Sequence, residues 1–314
     1  FIPTIKIPKI DAIAVTYGPG LEPALWVGIN AGRALGEVWG IPVIPVDHME
    51  GHIVSVLFQK TKNQLRLTAR STDRLKTRPT ELSGRAINYP SLSLLISGGH
   101  TELIYSKTPL SYKMIGKTRD DALGEAYDKV ARMLGLPYPG GPEVSKLAEG
   151  ARQSTGKNSI KKRYQIAKKF SFPLPRPMLY TKDYDFSFSG LKTAVLYRVR
   201  EYRKLSADER AEIALEFESA ITEIIIAKTR KAIDKLKPKS LILGGGVTAN
   251  LHIQKSFREL AKEYPGLNLF IPSRELSTDN SIMIGMAGYL RIKKTPSILK
   301  SRKKIVAKGN ATLG

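Results

Sequence analysis

Two apolar runs that each end in glycine decide how this sequence folds: SLSLLISGGHTELIYS at residues 91–106 and SLILGGGVTAN at residues 240–250. In the first, residues 91–96 read as a buried strand, Gly98 and Gly99 turn the chain, and residues 102–106 return as the hairpin partner. In the second, a strand over residues 240–243 meets three glycines and then a new helix from about Ala249. Such a strand-glycine-helix unit suits a nucleotide, because a helix N-terminus offers unpaired N–H groups to an anion. Upstream, residues 11–16 (DAIAVT) are predicted as a short buried strand. Gly18-Pro19-Gly20 then turns the chain into a helix over residues 24–39, and residues 41–46 form a second strand. Between the glycine units, Ser206 and Glu209 have capping-box spacing. Ile213, Phe217, Ile221 and Ile224 follow at helical intervals, which predicts a long half-buried helix. No internal repeat or heptad array is present.

A chain of 314 residues with 42% apolar content is long enough for two packed α/β lobes. Its 51 Lys and Arg against 28 Asp and Glu leave a formal charge of +23, which attracts a polyanion, either nucleic acid or an acidic membrane surface. Basic residues crowd residues 60–85, 157–169 and 291–308, and these stretches are predicted as loops or tails. A lysine-rich surface also serves solubility alone, so charge by itself does not choose a nucleic-acid partner. There is no 18-residue apolar run and no signal-peptide pattern at Phe1, which predicts a soluble protein with no membrane partner. With no cysteine, disulfides and thiolate metal sites are excluded, and any metal must sit on His, Asp, Glu or water.

The sharpest local signal is HMEGH at residues 48–52. Two imidazoles four residues apart on a helix lie on one face and can grip one metal ion. Taken alone, such a pair more often has a structural role, satisfied by backbone or carboxylates. A zinc peptidase is disfavoured, since its general base directly follows the first histidine, whereas Glu50 is two residues on. The glycine turns at residues 97–100, 140–142 and 244–246 are weak singly. There is neither a P-loop nor a G-x-G-x-x-G fingerprint, so a nucleotide would be cradled between lobes by several separate glycine turns. That arrangement belongs to the actin-like ATPase superfold.

Taken in order, the motifs resemble the TsaD family, the tRNA N6-adenosine threonylcarbamoyltransferases. The blocks are TYGPGL (16–21), DHMEGH (47–52), LISGGHTEL (95–103), DDALGEAYDKVARMLGLPYPGGP (120–142), FSFSGLKTA (186–194), GGGVTAN (244–250) and STDNSIMIG (277–285). The resemblance implies an α/β, two-lobed actin-like (ASKHA) fold with the nucleotide and metal in the inter-lobe cleft. It divides the chain into an N-terminal lobe at residues 1–90, a C-terminal lobe at 91–276, and a return at 277–314 that ends in a basic tail. The family's opening strand hairpin and E-T-S segment have no counterpart here, so further strands before Phe1 are expected.

The same resemblance assigns roles. His48, His52 and Asp279 match the ligands of one divalent metal, iron or zinc. Leu95, Ile96, Ser97, Gly98 and Gly99 match the strand-turn that approaches the phosphates and substrate. Asp128 and Gly141 match the ribose contacts, and Asn250, with Gly245 and Gly246 beside it, matches the adenine contact. His100 stands beside the glycine turn as a candidate for proton transfer, or for a structural hydrogen bond. The implied ligand is an adenine nucleotide: threonylcarbamoyl-AMP, AMP or ATP. The implied activity is metal-dependent transfer of a threonylcarbamoyl group from threonylcarbamoyl-AMP to N6 of adenosine 37 in tRNAs reading ANN codons. The implied partners are tRNA, TsaB-like and TsaE-like accessory proteins if the source is bacterial, and a TsaC/Sua-type synthase supplying the donor. A homodimer is implied instead for an organellar relative. The location is cytoplasmic, or mitochondrial as the alternative. Two other classes share part of this pattern: an actin-like ATPase or kinase, which needs no H-x-x-x-H, and a non-catalytic tRNA-binding scaffold, which tolerates loss of His48.

Overall fold

The structure, a computed structural model, describes residues 9–57, 87–153, 173–200, 205–301 and 303–313. The basic stretches 60–85 and 157–169 lie outside the described residues. The chain forms two compact units, one holding the described residues up to Ile87 together with those from Pro272 onward, the other holding Asn88–Ile271.

In the first unit, β1 (Ile13–Gly18) pairs in parallel with β2 (Val43–Asp47), and α1 (Glu22–Trp39) connects them. Both strands lie one or two residues later than their apolar patterns place them. The helix starts two residues before Ala24, because Pro23 in its first turn has no N–H to leave unpaired. It buries Leu25, Ile29, Gly32 and Gly36, a repeat that alternates four and three residues. A Cβ on Gly32 would lie 2.5 Å from Val15 Cγ1, so the missing side chain is what lets the helix rest on β1. The helix ends at Gly40, whose φ of 65° is the left-handed cap that glycine adopts without strain.

β2 runs directly into α2 (His48–Val54), and α8 (Arg274–Ser277) and α9 (Ser281–Lys294) return to it from the far end of the chain. Val46 and Val54 share a core with Met283, Ile284, Met286 and Ala287 of α9. One expectation is corrected here. Residues 291–308, read as loop or tail on their charge, include the last turn of α9 and a segment that packs on β1. Ile305 and Ala307 are buried with Val15, Leu25 and Ile29, while Lys304, Val306 and Lys308 face outward. The Lys308 N–H donates to the Tyr17 carbonyl at 2.8 Å. Dense lysine hid a period of two, which is the pattern of a half-buried extended segment.

In the second unit, a five-stranded sheet has the order β5 (Lys113–Lys117), β4 (Thr101–Ser106), β3 (Ser91–Ile96), β6 (Ser240–Gly244), β7 (Asn268–Phe270). β3, β6 and β7 run parallel, and β4 is antiparallel to both β3 and β5. Every residue of β3 and β6 is buried, as expected of central strands covered on both faces. Among its described residues the unit also holds helices α3 (Leu123–Met133), α4 (Gly140–Gln153), α5 (Ser189–Arg200), α6 (Ala207–Leu236) and α7 (Leu251–Lys262). The capping box forms: the Glu209 N–H donates to Ser206 Oγ at 3.3 Å and the Ser206 N–H to Glu209 Oε2 at 2.8 Å. Ile213, Phe217, Ile221 and Ile224 are all fully buried, so α6 is a central core helix. The helix expected from Ala249 begins at Leu251, after a 3-10 turn over Gly246–Ala249. No helix among the described residues is long and apolar enough to cross a membrane.

Candidate functional site

α2 presents its two histidines because its first turn is anchored before them. Asp47 is the N-cap, and its Oδ1 accepts from Met49 N–H at 2.8 Å and from Glu50 N–H at 3.3 Å, a device that contributes about 1 kcal/mol. Burial raises the pKa of Asp47, while those two N–H donors and Arg291 oppose the shift. His48 and His52 then fall on one face, with ring centroids 4.8 Å apart and planes nearly perpendicular. A Cβ on Gly51, between them, would lie 3.1 Å from side-chain atoms of both Ile284 and Met283. The glycine therefore admits α9 close to α2, and with it the residue just before the Asn280 cap, Asp279.

Asp279 Oδ1 lies 3.2 Å from His48 Nε2 and 3.2 Å from His52 Nε2. Two ligands each ~2.1 Å from one ion stand about 3.0 Å apart at a right angle and about 3.4 Å apart at the tetrahedral angle, so these separations fit a shared ion. His52 is fully buried, and neither of its ring nitrogens has a partner with hydrogen-bond geometry among the described residues. The 3.2 Å contact to Asp279 is close enough for an ion pair but is not a hydrogen bond by its angles. A buried imidazole without a hydrogen bond costs about 1–3 kcal/mol, which a metal bond would remove. His48 first and His52 second hold the Asp279 carboxyl well below the usual carboxylate range. Among the described residues, this is the group of three His, Asp or Glu side chains whose ligand atoms converge. Glu50 points elsewhere, buried against Arg291 of α9, whose Nε donates to Glu50 Oε2 at 2.6 Å. That arrangement keeps Glu50 from serving as a peptidase-type base beside the histidines.

The remaining candidates all lie in the second unit, and those at residues 95–100 and 245–250 follow the carboxyl ends of parallel strands, where open α/β sheets bind ligands. β3 and β6 end side by side, with Leu95 in register with Gly244. The side chains of Leu95 and Ile96 are fully buried, so only their backbone can meet a ligand. The following turn is closed by the Ser97 N–H on the His100 carbonyl at 2.9 Å and by the His100 N–H on Ser97 Oγ at 3.1 Å. Among the described residues, a Cβ on Gly98 or Gly99 meets nothing within 4 Å, so their packing does not demand glycine there. Gly245 is different: its φ is 90°, and a Cβ would lie 2.5 Å from the Ile96 carbonyl oxygen. Gly245→Ala is expected to cost about 1–3 kcal/mol in this unit. Thermal unfolding would register it as a melting point lower by several degrees, and an unchanged melting point would show that the turn relaxes.

Asp128 on α3 accepts the Gly140 N–H on Oδ1 at 2.8 Å, which joins α3 to the start of α4. Gly141 follows at once, and a Cβ there would come no nearer than 4.0 Å, to Tyr127. Asn250 caps α7, its Oδ1 accepting from the Ile253 N–H at 3.0 Å. Its Nδ2 reaches the buried Tyr127 hydroxyl at 3.3 Å, Ser145 Oγ at 2.7 Å and Glu218 Oε1 at 2.7 Å. Burial, and after it the neighbouring Glu218 carboxylate, push the Tyr127 hydroxyl well above its ordinary pKa. Glu218, Tyr127, Ser145, the Asp47 cap and the Glu50–Arg291 pair were not singled out by sequence reading. Only Asp47, an acid just before a helix, carries a local signal.

Across residues 4–72 and 77–286 the chain matches the family model of TsaD, tRNA N6-adenosine threonylcarbamoyltransferase. A protein of that name from Staphylococcus saprophyticus is 40% identical over 285 residues, covering 90% of this chain and 71% of the relative. One from Thermosipho africanus is 40% identical over 295 residues, covering 92% and 75%. The crystal structure of HypF from T. kodakarensis superposes on 93% of this chain with a TM-score of 0.59 at 13% identity. This chain spans 42% of that one, and the likeness is one of fold, the α/β actin-like (ASKHA) type. With blocks from both units inside the matched residues and relatives at this identity, the chain belongs to the TsaD family of tRNA N6-adenosine threonylcarbamoyltransferases.

Proposed function

We propose that this chain transfers the threonylcarbamoyl group of threonylcarbamoyl-AMP to N6 of adenosine 37 in tRNAs reading ANN codons. The observation that carries this reading is the meeting of His48, His52 and Asp279, all three within the residues that match the family. Two imidazoles and a carboxylate suit one iron or zinc ion, which His48, His52 and Asp279 would hold and which, when bound, would supply Lewis-acid charge for the departing phosphate. Asp128 accepts hydrogen bonds from the ribose hydroxyls with the oxygen that Gly140 does not use, beside Gly141. Ser97 to Gly99 and Gly245 to Gly246 give backbone close approach to phosphate and substrate, and Asn250 meets the adenine.

In the reaction, the N6 lone pair attacks the carbamoyl carbon. The bond from that carbon to the phosphate oxygen breaks, and AMP leaves with the electron pair. The proton released from N6 passes to solvent or to His100. An aromatic amine is a poor nucleophile, so most of the acceleration comes from orienting the two reactants. The wider proposal places the protein in the cytoplasm, with TsaB-like and TsaE-like partners and a donor made by a TsaC/Sua-type synthase.

Reconstitution with threonylcarbamoyl-AMP and unmodified tRNA is expected to form N6-threonylcarbamoyladenosine with one AMP released per modified nucleoside. Binding of tRNA without AMP release, with all candidate accessory proteins present, would instead mark a scaffold.

A further inference from the structure

A buried polar chain in the second unit does more than hold α4, α6 and α7 together. Arg152 on α4 donates from Nη2 to Glu218 Oε2 at 2.8 Å, and the Glu218 side chain on α6 is only 1% exposed. The other oxygen, Oε1, accepts from Asn250 Nδ2 at 2.7 Å, and Ser145 Oγ lies 2.7 Å from the same nitrogen. On its far side, Asn250 Oδ1 accepts the Ile253 N–H at 3.0 Å. A carboxylate can only accept and a backbone N–H can only donate, so both neighbours turn the Asn250 amide the same way. Its two N–H hydrogens are used by the two short contacts, and one of the two lone pairs on Oδ1 is used by Ile253. What the half-buried side chain has left to offer is a single acceptor lone pair.

We propose that Glu218, oriented by Arg152, is a positioning residue that fixes Asn250 as a hydrogen-bond acceptor toward the base, so that the site selects a 6-amino purine and rejects a 6-oxo purine. This rests on the reading that Asn250 meets the adenine. The only N–H donor on the adenine ring edge is its exocyclic amine, which matches a lone acceptor. Hypoxanthine and guanine carry a carbonyl oxygen at that position, and two acceptors face to face leave both unpaired. Sites built on such a bond reject the analogue that lacks it far better than apolar pockets do.

The test measures dissociation constants of AMP and IMP by calorimetry for the wild type, Glu218→Gln, Asn250→Ser and the Arg152→Met/Glu218→Gln double variant. The wild type is expected to bind AMP at least roughly tenfold more tightly than IMP. In Glu218→Gln, Arg152 still requires an acceptor and keeps the glutamine oxygen. The glutamine NH2 then faces the Asn250 NH2, donor against donor, while the Ile253 N–H still calls for Oδ1, so the amide is no longer held in one orientation and the AMP preference falls to about one. Removing Arg152 as well frees the glutamine to present its oxygen to Asn250, and the AMP preference returns. Asn250→Ser keeps a cap oxygen but cannot reach the base, so AMP and IMP should bind within about twofold of each other. This variant also decides the base-reading step if Glu218→Gln proves unstable. A wild type that binds AMP and IMP alike overturns the inference. So does a Glu218→Gln protein whose melting point and affinities fall while the AMP-to-IMP ratio holds, since that is the mark of a merely structural carboxylate. A wild type that binds no AMP removes the nucleotide site itself, and the inference with it.

Discussion

His52→Ala is expected to abolish binding of the proposed metal ion and to lower threonylcarbamoyl transfer by more than about 100-fold, while leaving the stability of the metal-free protein nearly unchanged. Removing a residue that only orients a metal ligand typically costs ~10–100-fold, so removing a ligand should cost more. The stability side of the prediction carries the discrimination. His52 is fully buried with both ring nitrogens lacking hydrogen bonds among the described residues, so without metal the ring is a source of strain. Deleting it relieves about 1–3 kcal/mol of unsatisfied polarity and opens a cavity of comparable cost, and the two effects oppose each other. If the pair were instead a structural one, the same substitution would destabilise the fold with no change in bound metal. Elemental analysis, a transfer assay and thermal unfolding of chelator-treated protein separate the cases. Metal content near that of the wild type, or activity within tenfold, would sink the metal-site reading.

Arg291→Met should have the largest effect on stability, about 3 kcal/mol, seen as a melting point lower by on the order of 10 °C. The Glu50 side chain is 1% exposed in the middle of α2, between the two histidines, and its ionic partner reaches it from α9. Arg291 is itself 28% exposed, which places the cost at the low end of the range for breaking a buried pair. The Glu50→Gln/Arg291→Met double variant should recover part of the loss, because no buried charge is then left without its partner. Additive losses in the two single variants and the double variant would refute the pair as a coupled unit. The same arginine shows why dense positive charge over residues 291–308 does not mark a loop or tail. One of its cations serves the interior of the first unit, and the lysines around Ile305 and Ala307 are the outward half of an alternating segment.

Residues whose signal is local were legible without coordinates. The strand over residues 91–96 and its hairpin partner, the Ser206 and Glu209 capping box and the buried face of the long helix follow from periodicity and cap chemistry. The pairing of His48 with His52 follows from helix geometry, since residues four apart share a face. Family likeness, and not spacing, pointed to Asp279, because nothing near residue 279 in the sequence refers to residue 48.

The sequence by itself therefore determined the elements, the family and the types of side chain available for chemistry, all of which depend on neighbours within a few turns of chain. Tertiary structure alone decided which of them meet. The absence of a side chain at Gly51 lets α9 approach α2 and brings Asp279 Oδ1 to 3.2 Å from both imidazoles. Glu218 and Asn250, 32 residues apart on different helices, become acceptor and donor only when α6 and α7 pack. Hydrogen bonds and ion pairs act over about 3 Å, a range far shorter than the chain between such partners, so their pairing is a property of packing and leaves no periodic trace in the sequence.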